Sequence, residues 1–371
     1  MARARVYLDA NATEPLRPEA RAAVMAALDT LGNPSSIHGD GRAARKILED
    51  AREAIASRFG GSSRNLVFTS GGTEANAIAI HGLARGGRVL RGATEHAAVI
   101  AAAGETAGVL PVDGQGQISL DALASALAAE KPALVSVMLA NNETGAVQPV
   151  ADIARLCRDA GVPFHVDAVQ GAGRLSVDFA AIGADCLTLS AHKLGGPPGA
   201  GAVLLTSDAA DRLQPLTLGG GQERGRRGGT HALPNIAGFA AAAIACQPEA
   251  AARLAPWRDA MEAAAVAAGA IVIGGGTARL PNTTCLALPG VRAESQVIAL
   301  DLAGISVSAG AACSSGKVAR SHVLEAMGAG DLSAQAIRVS LPWNATEADA
   351  LAFIAAYQAM AARMARPADA A

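Results

Sequence analysis

The sequence predicts an α/β protein built on a mostly parallel sheet that is flanked by helices. Between residues 66 and 205, short β-prone runs alternate with helical patterns, which is typical of consecutive βαβ units. Of the 371 residues, 51% are hydrophobic, which is enough for a large core. No run approaches the length of a membrane span, and the N-terminus turns polar before a signal-peptide core develops, so we expect a cytoplasmic protein.

Two helices are expected before the alternating region. A short strand at residues 5–8 precedes a polar turn, and a helix at 18–31 starts with a proline and ends before Gly32. The next helix is indicated by apolar residues that recur at three- and four-residue spacing from Ala44 to Phe59, before Gly60.

The second part of the chain has a different pattern. The β-prone runs of the alternating region lie at residues 66–69, 88–91, 134–139, 164–166, 186–189 and 202–205, with helical stretches such as 120–129 and 151–160 between them. A helix at 255–268, shorter strand-like runs and a helix at 346–364 follow. We therefore expect a large domain over residues 15–250 and a smaller α+β domain formed by residues 1–14 with 251–371.

Charge and cysteine content exclude several functional classes. The net charge of −2 provides no basic footprint for nucleic acid or for an anionic membrane. The five cysteines are odd in number and include no CxxC pair, which argues against a disulfide framework and against a metal site. A reducing compartment fits this cysteine usage.

Lys193 is one of only four lysines, and it directly follows a buried-looking strand in Ser-Ala-His-Lys, residues 190–193. A lysine amine held in a dry pocket can form a Schiff base with an aldehyde cofactor. The alternative is a solvated lysine at a strand end, which is the commoner situation for an arbitrary lysine. The choice depends on whether the other parts of such a site are present.

Residues 69–76, Thr-Ser-Gly-Gly-Thr-Glu-Ala-Asn, follow a strand and open a helix. Small residues such as Gly72 let backbone N–H groups approach an anion, the helix start adds positive potential, and the Thr73 hydroxyl can join them. This pattern favours a phosphate site, and an ordinary capped turn is the alternative. A dinucleotide-binding loop is excluded because no strand precedes Gly39-Asp40-Gly41.

Asp167 ends another buried-looking strand, where a carboxylate needs a partner. A pyridinium nitrogen would be such a partner, and an ionised carboxylate would keep that ring a good electron sink. A helix N-cap is the alternative. Asn142 and Gln170 could hydrogen-bond the phenolate oxygen of the same cofactor, and His96 could lie flat on its ring. Each of these signals is weak by itself.

Cys313 differs from the other four cysteines, which lie at positions typical of a core. It lies among Gly, Ala and Ser, where we expect an accessible thiol that can collect a group from a buried site and carry it outward. Ser190 and His192 beside Lys193 could instead suggest a hydrolase. The chain, however, has no G-x-S-x-G elbow and no H-E-x-x-H pattern.

Taken together, these motifs resemble the cysteine desulfurase family, in the class-V aminotransferase group of PLP fold type I. The similar blocks follow the family's order through nearly the whole chain: YLDANAT, GNPSSIHGDGRAAR, FTSGGTEAN, TEHAAV, SVMLANNETGAVQP, HVDAVQ, LSAHKLGGPPGAG, GGGQERGRRGGT, ALDLAGISVSAGAACSS, SHVLEAMG and IRVSL. The AGAACSS block is similar to that of the long-loop subgroup. The resemblance implies fold type I, pyridoxal 5'-phosphate as cofactor, L-cysteine as substrate, a homodimer and an unidentified sulfur-acceptor protein as partner.

The resemblance also implies a role for each site residue. Lys193 would bond to the cofactor and remove the substrate's α-proton, His96 would assist proton transfer, and Cys313 would be the nucleophile. Arg338 would clamp the substrate carboxylate, helped by Asn33. The implied cofactor contacts are Lys193, Asp167, Gln170, Asn142, Gly72, Thr73, Ser190, His192 and, from a second subunit, Thr230.

The implied reaction removes sulfur from L-cysteine and leaves L-alanine and a Cys313 persulfide, for sulfur transfer such as iron–sulfur cluster assembly. A selenocysteine or cysteine-sulfinate lyase, a related aminotransferase and a binding-only paralogue are the alternatives. The chain departs from the family pattern where YLDNNATTP reads YLDANATEP, with Ala10 and Glu14, where Pro342-Trp343 replaces Gly-Arg, and at Gly228. We expect these departures to affect the substrate entrance and the carboxylate end, and not the cofactor site.

Overall fold

The computed structural model describes residues 5–310 and 320–364. Its strands are β1 (Val6–Tyr7), β2 (Leu66–Thr69), β3 (Val89–Gly92), β4 (Gly108–Leu110), β5 (Leu134–Met138), β6 (Phe164–Asp167), β7 (Cys186–Ser190), β8 (Gly201–Leu205), β9 (Ile271–Val272), β10 (Thr283–Ala287), β11 (Ile305–Ser306), β12 (Ser308–Ala309) and β13 (Ala336–Ser340).

The α-helices of the same ranges are α1 (Pro18–Leu28), α2 (Gly39–Arg58), α3 (Gly72–Ala84), α4 (Ala97–Ala103), α5 (Leu120–Ala129), α6 (Val150–Asp159), α7 (Phe179–Ile182), α8 (Ser207–Arg212), α9 (Leu233–Ala245), α10 (Pro248–Ala252), α11 (Ala255–Ala267), α12 (Ala293–Leu302), α13 (His322–Ala326) and α14 (Glu347–Met364). None of them is both long and apolar enough to cross a membrane.

A seven-stranded sheet forms the centre of the molecule, with the strand order β2-β8-β7-β6-β5-β3-β4. The neighbours from β7 to β4 are all parallel, and β8 runs antiparallel to both β7 and β2. The prediction of a mostly parallel sheet is therefore confirmed. The edge strand β4 was not predicted; it is only three residues long and its Val109 is exposed.

Helices cover both faces of this sheet, as the strand residues show. Along β8, Ala202 and Leu204 pack into one hydrophobic cluster, and Val203 and Leu205 pack into another. The alternation follows from the two-residue period of side chains on a strand. The first cluster includes side chains of α2, α6 and α9, and the second includes side chains of α3 and α8. Strands buried on both faces explain the continuous apolar runs in the sequence.

A separate cluster gathers Leu8 with side chains between residues 254 and 361, including Phe353 and Tyr357 of α14. It packs on the four-stranded sheet β12-β13-β10-β9, and the short parallel pair of β1 and β11 adjoins it. The pairing of β1 with β11 places the N-terminal segment next to the last part of the chain. A strand of two residues is not stable alone and depends on such a neighbour for its hydrogen bonds. The division into domains at residues 14 and 250 stays a prediction, which this cluster supports.

Candidate active site

A cavity of about 300 Å³ lies at the carboxyl ends of β5, β6 and β7, and we call it the strand-end cavity. Parallel strands end at the same edge of a sheet, so the polar residues that follow them converge there. Its lining consists of Ala12, Gly72, Thr73, Asn76, His96, Met138, Ala140, Asn142, Asp167, Val169, Gln170, Ser190, His192 and Lys193. Nine of the residues singled out in the sequence are thereby brought together, from segments spread over more than a hundred positions.

Asp167 is the last residue of β6, and its carboxylate is 5% exposed. Its Oδ2 accepts a hydrogen bond from Asn76 Nδ2 at 2.7 Å, and its Oδ1 accepts from the backbone N of Val169 at 2.9 Å. Asn76 is itself oriented, because its Oδ1 accepts from Thr188 Oγ1 at 2.6 Å. An ionised carboxylate has further lone pairs beyond these two bonds, so it can still accept from a ligand in the cavity.

His96 caps the first turn of α4: its Nδ1 accepts from the backbone N of Ala98 at 3.1 Å. The proton of the neutral ring therefore lies on Nε2. Burial lowers the pKa of His96, the charge of Lys193 lowers it further, and Asp167 opposes the shift. A neutral imidazole that carries its proton on a known nitrogen can take part in proton transfer.

Lys193 ends a short 3-10 turn that continues β7. Its Nζ donates to the backbone carbonyls of Asn11 and Ala12, which belong to the polar turn after β1. The amine is therefore held at the cavity wall by uncharged acceptors from a segment far away in the chain.

The other end of the cavity has the features of an anion site. Helix α3 begins at Gly72, and its N-cap residue Gly71 has no side chain with which to cap the first N–H groups. A Cβ atom on Gly72 would lie 3.0 Å from Val169 Cγ2 and 3.3 Å from Ser190 Cβ, so a larger residue would require these side chains to shift by a few tenths of an ångström. Burial lowers the pKa of His192 to about 4. The neutral ring can therefore offer a hydrogen bond without a charge.

Three predicted residues do not line the strand-end cavity. Arg338, on β13, contacts the lining residue Asn142: Nη1 donates to the carbonyl of Asn142 at 3.2 Å, and Nη2 donates to Asp9 Oδ1 at 2.7 Å. Asn33 and Thr230 are exposed and line a different cavity together. Cys313 lies outside the described residues.

Comparison with known proteins identifies the family of this chain. The family model described as aminotransferase class-V matches residues 6–353. A cysteine desulfurase of Cereibacter sphaeroides is 42% identical over 363 residues, which cover 93% of this chain and 92% of that protein. The chain belongs to the class-V aminotransferases and, within them, to the cysteine desulfurase family.

Other relatives also match this desulfurase over nearly its whole length. An IscS-like cysteine desulfurase of Mycobacterium tuberculosis is 39% identical, over 98% of both chains. The solved structure of a NifS-like protein from Rickettsia africae superposes with a TM-score of 0.89 at 33% identity, covering 96% of this chain and 99% of that one. A structure described as SspA in complex with cysteine has a TM-score of 0.80 at 30% identity, covering 91% and 98%.

Two buried carboxyl groups next to the cavity were missed by the sequence reasoning. Glu95 precedes His96, and its Oε1 accepts from the backbone N of Met138 at 3.0 Å; burial raises its pKa well above the ordinary value. Glu143 follows Asn142, and its Oε2 accepts from Ser321 Oγ at 2.6 Å. The TEH and NNET blocks contain both, but an acidic residue in a loop pattern gives no sign of burial.

Proposed function

We propose that this protein removes the sulfur atom of L-cysteine, with pyridoxal 5'-phosphate bound in the strand-end cavity, and that it yields L-alanine and a persulfide on Cys313. The observation that carries the proposal is the convergence of Lys193, Asp167 and His96 on one cavity. The identity to cysteine desulfurases over nearly the whole chain supports the substrate, as does the similar structure that was solved with cysteine.

The residues present fit this cofactor. Asp167 provides a buried carboxylate for the ring nitrogen, and Asn142 and Gln170 would reach the phenolate oxygen. The uncapped start of α3, with Thr73, Ser190 and His192, would hold the phosphate. When bound, the cofactor supplies an aldehyde that condenses with amines and a ring that withdraws electrons from the α-carbon of a bound amino acid.

The side chains of this chain then have separate tasks. Asp167, held by Asn76, would favour a protonated ring nitrogen because a buried carboxylate favours a positive partner. The Lys193 amine would accept the proton from the substrate's α-carbon, and the neutral His96 ring, whose proton lies on Nε2, would assist this proton transfer in the strand-end cavity. Arg338, which donates to the carbonyl of Asn142, would bind the substrate carboxylate in exchange for its contact with Asp9.

The sulfur step uses Cys313 as the nucleophile. Its thiolate attacks the sulfur of the bound cysteine, so that an S–S bond forms and the Cβ–S bond breaks. The electron pair of the broken bond stays with the carbon fragment, which takes up a proton and leaves as alanine. The persulfide remains on Cys313, from which a sulfur-acceptor protein would receive the outer sulfur atom.

A second copy of the chain is part of the proposal. Thr230 and Asn33 line one cavity together with Leu28, away from the strand-end cavity. Large apolar side chains nearby are exposed, among them Leu31 at 80% and Ile37 at 87%. A homodimer would cover this apolar surface and would bring Thr230 to the phosphate of the partner subunit.

One assay tests the proposal. Purified protein with pyridoxal phosphate is given L-cysteine, sulfide and alanine are measured, and the Cys313 peptide is examined by mass spectrometry for an added sulfur atom. Cys313→Ala is expected to lower alanine formation at least about a hundredfold, because the nucleophile is lost.

The same variant separates the alternatives. A lyase for selenocysteine or cysteine sulfinate would keep its activity on those substrates with Cys313→Ala, and an aminotransferase would form a second amino acid from a keto acid. Cys157→Ala is the control, since Cys157 is a buried thiol of α6 whose pKa is raised by burial. Wild-type protein that binds the cofactor but forms no alanine from cysteine would contradict the proposal.

A further inference from the structure

A buried set of hydrogen bonds connects Trp343 with the segment after β1. Glu14 lies at its centre and uses its two carboxylate oxygens for two partners. Its Oε1 accepts from Arg174 Nη2 at 3.0 Å, and its Oε2 accepts from the backbone N of Trp343 at 3.1 Å. The indole Nε1 of Trp343 donates to the carbonyl of Pro15 at 2.7 Å, so the two segments are joined by both backbone and side chain.

Arg174 carries this connection to the wall of the strand-end cavity. Its Nη1 donates to the side-chain oxygen of Gln170 at 2.5 Å and to the backbone carbonyl of the same residue at 3.1 Å. An amide oxygen only accepts, so this contact determines which way the Gln170 amide faces. In this orientation Nε2 of Gln170 donates to the carbonyl of Asn11 at 3.0 Å, and that carbonyl also accepts from Lys193 Nζ.

Glu14 is the counter-charge of this guanidinium. The side chains of Arg174 and Glu14 are 4% and 6% exposed. Removing one partner of a buried ion pair leaves an uncompensated charge, which is strongly unfavourable. Arg174 would then shift toward water or another acceptor, and its hold on the Gln170 amide would be lost.

Glu14 and Trp343 are also two of the positions at which the chain departs from the desulfurase pattern, which has Thr and Arg there. The structure shows that these departures are in direct contact. Their contact also leads, through Arg174, to Gln170 on the cofactor side, whereas the sequence led us to expect an effect on the substrate entrance and the carboxylate end and not on the cofactor site.

We propose that Glu14 is a positioning residue that acts through Arg174 to orient the Gln170 amide. One hydrogen of the Gln170 Nε2 group bonds to Asn11, and the other is then available to the phenolate oxygen of pyridoxal phosphate. This inference rests on the proposed function, because it concerns the same cofactor. The new element is the role of Glu14, which does not line the strand-end cavity and departs from the family pattern. Glu14 would set the orientation of the Gln170 amide, which donates a hydrogen bond to the cofactor.

The test is a double-mutant cycle read by cofactor affinity. Apoprotein is titrated with pyridoxal phosphate, and the dissociation constant is obtained from the absorption of the bound form. Glu14→Gln, which keeps the size but not the charge, is expected to weaken binding about tenfold in the wild-type background, as loss of one oriented hydrogen bond does. In a Gln170→Ala background the same change is expected to have less than about a twofold effect.

Glu262→Gln is the matched control. Glu262 forms an ion pair with Arg279 whose side chains are 14% and 8% exposed, and neither residue lines the strand-end cavity. This variant is expected to lower the unfolding temperature without changing the cofactor affinity. Should Glu14→Gln fail to fold, Arg174→Lys serves instead, because lysine keeps the charge but loses the fork that reaches both Glu14 and Gln170.

Equal losses of affinity in the two backgrounds, or no loss in the wild-type background, would overturn the inference. The cycle measures cofactor binding and not turnover. Wild-type protein that binds pyridoxal phosphate but forms no alanine would thus contradict the proposed function. The role of Glu14 could still be tested in that case, because the double-mutant cycle requires only cofactor binding. Wild-type protein that binds no pyridoxal phosphate would overturn both.

Discussion

His165 shows how a single buried residue supports the site without touching it. Its ring nitrogens contact Ser136 Oγ at 2.9 Å and Thr188 Oγ1 at 3.1 Å, and the residue is fully buried. Burial lowers the pKa of His165 to about 4, so the ring is neutral at pH 7. Thr188 donates to Asn76, which donates to the carboxylate of Asp167. A chain of hydrogen bonds therefore connects the neutral imidazole of His165, through Thr188 and Asn76, to the carboxylate of Asp167.

We predict that protonation of His165 contributes to unfolding in acid. A histidine whose pKa in the folded protein lies below its value of about 6.5 in the unfolded chain stabilises the fold fully above pH 6.5, and this stability is lost as the pH falls toward 4. The shift to about 4 corresponds to a loss of about 3 kcal/mol of unfolding free energy over that interval.

Urea unfolding of the apoprotein at several pH values between 7 and 4 measures this contribution. His165→Gln is the comparison, because glutamine keeps polar contacts but does not titrate. The variant is expected to be less stable at neutral pH and to lose less stability in acid than the wild type. Parallel pH profiles of the two proteins would refute the prediction, since all other titrating groups are shared.

At the scale of elements, the start of α3 is the part of the fold at which the proposed function places the phosphate. The first turn of this helix has no side-chain cap, and it faces the ends of the neighbouring strands across Gly72. The sequence pattern of small residues between a strand and a helix predicted this arrangement. Only the fold shows why a larger residue would be crowded at Gly72, because Val169, which follows β6, and Ser190, at the end of β7, lie close to the helix start.

Gly72→Ala is expected to weaken pyridoxal phosphate binding about tenfold or more, because Val169 and Ser190 must move to make room for the methyl group. Gly39→Ala is a matched control: Gly39 is the first residue of α2, and a Cβ there would approach nothing closer than Arg42 Nη2 at 4.0 Å. Titration of the two apoproteins gives both affinities. Similar affinities would argue against a phosphate site at α3.

At the scale of the whole molecule, the strand-end cavity and the cavity of Thr230 are separate sites on one chain. The proposed dimer would bring the two cavities together, because Thr230 of each copy would contact the phosphate bound in the strand-end cavity of the other. The exposed apolar side chains around Asn33 and the end of α1 provide the surface for such a contact.

We predict that Leu31→Glu shifts the protein toward monomers and lowers its desulfurase activity, since a charge would enter an apolar interface. Leu302→Glu is the control; Leu302 is 83% exposed, close to the 80% of Leu31, and it lies at the end of α12 in the other part of the molecule. Sedimentation velocity measures the oligomeric state of each variant. A Leu31→Glu protein that stays dimeric would show that the interface lies elsewhere.

Much of this protein was predictable from its sequence, because the informative patterns are local. Six of the seven strands of the central sheet and the helices at residues 18, 120, 151, 255 and 346 were found within a few residues, as was the set of strand-end residues around Lys193. Alternating apolar runs, caps and strand-to-helix turns are properties of short stretches, and the order of the motifs identified the family.

The tertiary structure alone decided which distant residues meet. Asn76 holds Asp167 from 91 positions away, and Arg174, which holds Gln170, reaches Glu14 across 160 positions. Such contacts depend on how whole elements pack, so no short stretch of sequence contains a sign of them. For the same reason the sequence could name Arg338 and Asn33 as partners of one substrate, while the fold brings Arg338 to the carbonyl of Asn142 and Asn33 to the cavity that Thr230 lines.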